Sequence, residues 1–199
     1  MLKLCANISM LFNELPFLQR YQAAADAGFA GVECLFPYDF SIEEVSSAIR
    51  LSGMPQVLIN TSAGHWHEGD RGMACDARRR SEFEDSVRQA LQYAAAMGNP
   101  LVHVMAGLVP AGVSLEAAEA EYVSNLRWAA GEAKGAGVRL TMEAINPIDM
   151  PNYMLSSQAQ ALRLCTAIGA NNVGIQFDFF HCQKFEGNAL VQFLQLLPY

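Results

Sequence analysis

The chain has 199 residues, 52% of them hydrophobic, which is enough apolar material for one ordinary domain core and excludes a disordered or fibrous class. A formal net charge of −7 argues against a nucleic-acid partner, whose phosphates call for a basic stripe, and leaves small molecules as the expected ligands. The five cysteines are odd in number, scattered and without CxxC spacing, so neither a disulfide framework nor a thiolate zinc site is indicated, and a reducing cytoplasmic location is expected.

The opening MLKLCANISMLF is interrupted by Asn7 and Ser9 and lacks a small-residue cleavage site, so it reads as a strand from near Lys3 rather than a targeting segment. No window approaches the roughly 18 consecutive apolar residues of a membrane span, and no membrane partner is expected. Gly28 stands where a first helix should stop, and GVECLF from Gly31 reads as the second strand. Ser41-Ile-Glu-Glu44 is a capping box opening a helix that Gly53 ends. QVLINT from Gln56 is the third strand, followed by the long loop SAGHWHEGDRGMACDA. Phe83, Val87, Leu91, Ala94 and Met97 form one helical face, and LVHVMAG from Leu101 is the fourth strand. Leu115, Ala118, Tyr122, Leu126 and Ala129 form another such face, and RLTMEAI from Arg139 is the fifth strand. After the loop NPIDMPNYMLSS and a further helix comes VGIQFD from Val173, the sixth strand, with Glu186 expected to open the helix that follows. Strands and helices alternate throughout with no linker, which predicts a single α/β domain over residues 1–199.

Side chains alternate across a strand, so each run divides by parity. One parity is apolar and suits a helical layer: Leu4, Ala6 and Ile8; Val32, Cys34 and Phe36; Val57 and Ile59; Val102 and Val104; Leu140, Met142 and Ala144; Val173, Ile175 and Phe177. The other carries Asn7, Ser9, Glu33, Asn60, His103, Thr141, Glu143, Gln176 and Asp178. A doubly wound sheet would need both faces apolar. A polar inner face toward the strand C-termini predicts instead a (β/α) TIM-type barrel with its site at the mouth.

Glu143 and Asp178 end the fifth and sixth runs and should meet there. At about 5 Å and an effective dielectric near 20, two carboxylates repel by roughly 3 kcal/mol, so a proton, a basic side chain or a cation must neutralise them. Oxygen ligands with imidazole neighbours suit Mg²⁺ or Mn²⁺; the bland alternative is a pair of partnered structural carboxylates. For His103, an inward residue of the fourth strand, a place in the site and a hydrogen-bonded core role stand equal. Trp66, between His65 and His67 in the long third loop, is either a cover over a small substrate or a shield on the barrel mouth. Glu33 is expected to neutralise Arg71 or a polar group of a neighbouring strand.

ANISMLF, the GF-x-GVE-x-LFPYD stretch from Gly28 to Asp39, the N-x-x-x-G-x-W-x-x-G-x-RG-x-A stretch from Asn60 to Ala74, HVMAG, EAIN-x-x-D-x-P from Glu143 to Pro151 and IQFDFFHCQKFEGN together resemble the hydroxypyruvate isomerase family of xylose-isomerase-like TIM barrels. The 2-oxo-tetronate isomerases are similar as well, notably at HVMAG. The resemblance implies a divalent metal held by Glu143 and Asp178, Glu143 as a catalytic proton carrier, and His181 in contact with substrate oxygens. It also implies a metal-binding Gln and a second, proton-moving Glu on strands beyond Tyr199, and hence an incomplete barrel of about six of the eight βα units. The implied reaction interconverts hydroxypyruvate and tartronate semialdehyde through an ene-diolate, in the manner of an aldose–ketose isomerase acting on a small hydroxy-keto acid. Two alternatives stand beside it: a 2-oxo-tetronate or related sugar-acid isomerase or epimerase, and an inactive truncated form acting only by association. A metal-dependent DNA-repair endonuclease on the same barrel fits less well with four histidines and the net charge. Bare first and sixth strands, with Leu190, Phe193, Leu194 and Leu197 short of partners, predict aggregation, swapping or a homo-oligomer.

Overall fold

The computed structural model describes residues 3–199. Its six strands are β1 (Cys5–Asn7), β2 (Gly31–Cys34), β3 (Gln56–Asn60), β4 (Leu101–His103), β5 (Arg139–Glu143) and β6 (Val173–Gln176), all parallel and in sheet order β1-β2-β3-β4-β5-β6. The helices are α1 (Arg20–Asp26), α2 (Ile42–Ser52), α3 (Arg80–Met97), α4 (Leu115–Gly135), α5 (Gln158–Ile168), α6 (Phe179–Phe185) and α7 (Ala189–Leu196). Every crossover joins sequential neighbours. Because such connections are right-handed, the helices collect on one face and the other face becomes a lumen, which is a barrel wall and not a doubly wound sheet. The expected strands are all present, with β1 starting at Cys5 rather than Lys3.

Local signals account for the helix ends. The Ser41 hydroxyl accepts from the Glu44 N–H while Glu44 accepts from the Ser41 N–H, and Gly53 closes the same helix. Phe83, Val87, Leu91, Ala94 and Met97 are buried on α3, and Ala118, Tyr122, Leu126 and Ala129 on α4. Leu115 is a correction: as the first residue of α4 it is 49% exposed, because the helix has not yet reached the sheet. Glu186 is another. It caps the end of α6, and its Oε1 accepts from the Gln158 N–H at 2.9 Å, so the helix start it stabilises is that of α5.

The parity reading needs one repair. Val32 pairs with Gln56 but Glu33 pairs with Leu58, so Val57 is an extra residue that bulges β3. Gln56 thereby turns to the helical side, where its Nε2 donates to the Leu58 carbonyl and its Oε1 accepts from Tyr21 at 2.8 Å. Val57 turns inward instead, against Gly31, where a Cβ would lie 2.8 Å from Val57 Cγ2. Beyond the bulge Leu58 and Asn60 face the lumen, and Ile59 is fully buried in the core between sheet and helices.

α7 leaves Leu190, Leu194 and Leu197 64%, 58% and 60% exposed, while Phe193 packs against Phe177 and Phe179. The expected apolar face is therefore present. Among the described residues, no helix is long and apolar enough to cross a membrane. All five cysteines are free thiols, four of them buried.

Candidate active site

The C-terminal ends of the strands enclose a cleft of about 440 Å³. Parallel register builds it: Asn7 is opposite Glu33, Asn60 opposite His103, and Glu143 opposite Gln176. These polar residues line the cleft together with Asp178, His181, Asp149 and the apolar Leu35, Leu58, Met105 and Met150. Phe36 joins them, contrary to its expected place under the helices. β2 has ended at Cys34, so strand alternation no longer governs Phe36, and its ring packs 5.7 Å from that of Trp66.

The expected carboxylate pair meets. One ligand atom each from Glu143, Asp178 and His181 lie within 4.8 Å of one another. Asp178 is placed there by a helix cap rather than by its strand: β6 ends at Gln176, and Asp178 Oδ1 accepts from the His181 N–H at 2.8 Å as the N-cap of α6. Four carboxyl groups, those of Glu33, Glu143, Asp149 and Asp178, line the cleft, with no lysine or arginine among its described lining residues. Burial above all, then the charges of Asp178 and Glu33, push the Glu143 carboxyl up to about 8 against an opposing hydrogen bond from Gln176. Burial also raises Glu33, although Asn7 Nδ2 donates to its Oε1 at 3.0 Å. That contact settles the partner of Glu33 as its strand neighbour. Arg71 lies 3.9 Å from the centre of the Trp66 ring instead.

His103 is fully buried, and neither ring nitrogen has a hydrogen-bond partner within the chain. Its Nδ1 lies 3.8 Å from Glu143 Oε2. Burial lowers the imidazole to about 4, so the ring is neutral near pH 7 and the contact is not an ion pair. The core reading of His103 therefore lacks its hydrogen bonds among the described residues. Trp66 stands at the rim, 36% exposed, on a loop tied down by the Asp70–Arg79 ion pair and by the His65 N–H donating to Asp70. His65 and His67 face a neighbouring groove rather than the cleft.

Sequence reasoning passed over one network. Asn146 Nδ2 lies 2.7 Å from His181 Nδ1 and donates to Asp149 Oδ2 at 3.0 Å, while Lys184 donates to the other oxygen of Asp149. Its signal was the Asn-x-x-Asp spacing inside EAINPID, the pattern of an Asx turn that folds the loop back on itself.

Fold and site together define a βα-barrel wall whose strand ends converge acidic and imidazole groups in a polar lumen. Residues 21–197 match the family model described as Xylose isomerase-like TIM barrel, and the chain belongs to that family. It is 43% identical over 187 residues to the hydroxypyruvate isomerase of Escherichia coli (94% of this chain, 72% of the relative). To a 2-oxo-tetronate isomerase of Cupriavidus necator it is 41% identical over 190 residues (96% and 73%). A solved structure titled AP endonuclease, family 2, from Brucella melitensis superposes with a TM-score of 0.95 at 37% identity, covering 98% of this chain and 75% of that one.

Proposed function

We propose that the chain is a sugar-acid isomerase that interconverts hydroxypyruvate and tartronate semialdehyde. The observation that carries the reading is the convergence of Glu143, Asp178 and His181 in one cleft. Relatives named as isomerases at about two-fifths identity support it. The cleft fits a divalent cation: hard carboxylate oxygens converge in an acidic lining that holds no cationic side chain among its described residues. Glu143 and Asp178 are the residues that would hold Mg²⁺ or Mn²⁺. When bound, that ion supplies the positive charge that polarises the substrate's carbonyl and hydroxyl oxygens.

The chain's own groups do the rest. The Glu143 carboxylate takes the carbon-bound proton, leaving an ene-diolate; return of that proton to the neighbouring carbon, with the hydroxyl proton passing from one oxygen to the other, completes the shift. His181 contacts a substrate oxygen, the unpartnered His103 ring receives another polar group at the cleft floor, and Trp66 covers the mouth. A 2-oxo-tetronate substrate is the second reading, favoured by the 41% identical relative. The acidic lining speaks against a nucleic-acid substrate, which brings phosphates to the surface it meets.

The test is isomerisation of hydroxypyruvate, and in parallel of a 2-oxo-tetronate, by folded protein with Mg²⁺ or Mn²⁺ and with chelator. Metal-dependent turnover that Glu143→Gln abolishes is the expected result. Folded, metal-loaded protein that turns over neither substrate would overturn the reading and leave a binding role through association.

A further inference from the structure

We infer that Asn146 is a positioning residue that sets the tautomer of His181, so that the ring presents Nε2–H to the cleft as a hydrogen-bond donor and is not a metal ligand. The side-chain amide of Asn146 has only one orientation open to it. Its Oδ1 accepts from the Ile148 N–H at 3.1 Å and from the Asp149 N–H at 2.9 Å, and its Nδ2 donates to Asp149 Oδ2. Turning the amide over would set NH₂ hydrogens against two backbone N–H groups and an oxygen against a carboxylate. Three repulsive contacts replace three favourable ones, in a residue only 1% exposed.

With the amide held, the group 2.7 Å from His181 Nδ1 is an N–H, so Nδ1 must be the acceptor. A neutral imidazole carries one proton, and that proton is then on Nε2. A protonated ring nitrogen has no lone pair for a cation and donates a hydrogen bond instead. The rest of the ring is held as well: the His181 backbone N–H is fixed on Asp178, and Lys184 holds Asp149, the carboxylate behind the amide. Two carboxylates beside a donor-only imidazole divide the labour of the site, with Glu143 and Asp178 facing a cation and His181 facing a substrate oxygen that gains negative charge as the ene-diolate forms. The use made of the donor rests on the proposed isomerase reading. The tautomer itself does not.

The experiment therefore needs neither substrate nor metal. Long-range proton–nitrogen correlation spectra of the ¹⁵N-histidine-labelled full chain, at mildly alkaline pH with chelator, resolve the ring nitrogens; His181 is assigned by the signals lost in His181→Gln. The expected spectrum has a pyridine-type Nδ1 and a pyrrole-type Nε2 for His181, beside the averaged tautomers of the exposed His65 and His67. Asn146→Asp keeps the two acceptor contacts but turns the donor into an acceptor, so His181 Nδ1 should move to the pyrrole type. Asn146→Ala, the reserve should the aspartate disturb folding, should move His181 to the average of His65 and His67. A pyrrole-type Nδ1 in the wild type overturns the inference. So does an unchanged His181 pattern in either variant with a native amide spectrum. A wild-type chain that gives these spectra and turns over neither substrate would count against the isomerase reading and not against the tautomer.

Discussion

Replacing Glu143 by glutamine should stabilise the metal-free protein, and by an amount that depends on pH. The wild-type carboxyl moves from an ordinary 4.5 to about 8 on folding. Its pKa is raised in the folded state, so its stabilising contribution is complete below the unfolded value and is lost as pH rises through the folded one. At about 1.4 kcal/mol per tenfold change in proton affinity, roughly 3 kcal/mol of that is lost between about pH 5 and pH 7.5. His103 works in the opposite sense. Its folded pKa is depressed from 6.5 to about 4, so its contribution is present at neutral pH and is lost as pH falls between those values. The His103 term remains in Glu143→Gln, so the difference between variant and wild type isolates the carboxyl. Urea unfolding followed by circular dichroism with chelator should show the variant gaining about 3 kcal/mol over wild type from pH 5 to pH 7.5. Saturating Mn²⁺ should stabilise wild type at the upper pH and the variant far less. A variant-minus-wild-type difference that stays flat across that range would refute the argument, because a carboxyl free to ionise in place carries no such penalty.

Three further outcomes follow from the packing. Tyr21→Phe removes the 2.8 Å hydrogen bond that satisfies Gln56 at the β3 bulge, and should cost about 1–2 kcal/mol in urea unfolding; no loss would mean that water replaces the hydroxyl. Gly72→Ala should cost about 2 kcal/mol or more and shift Trp66 fluorescence, since Gly72 sits at φ +118° with a would-be Cβ 2.5 Å from the Met105 carbonyl, and unchanged stability would contradict that close approach. The exposed Leu190 and Leu194 should drive self-association, so sedimentation velocity should show concentration-dependent species that the double variant Leu190→Glu, Leu194→Glu reduces. A wild-type chain that sediments as one monomeric boundary at high concentration would remove that expectation.

Much of the fold was legible because its signals are local. The capping box at Ser41, the helix stop at Gly53 and the apolar faces of α3 and α4 depend on residues within a turn or two of one another. Strand parity likewise placed Glu33, Asn60, His103 and Glu143 on one surface, since alternation holds wherever a strand is regular. It failed at Val57 and Phe36. A bulge and a strand end are decided by pairing with another strand, and no residue type at those positions announces either.

The site divides in the same way. The chain's residues determined that acidic and imidazole groups would gather at the ends of six sequential parallel strands, because period-two alternation and right-handed crossovers leave no other place for them. Tertiary structure decided how those groups behave. Only the packed lumen buries Glu143 near Asp178 and Glu33 enough to lift its carboxyl to about 8, and only it strips His103 of partners. Only loop closure brings Asn146 against His181 across 35 residues. Desolvation, like-charge proximity and hydrogen-bond direction depend on distances in space, and a sequence specifies these only after the chain has folded.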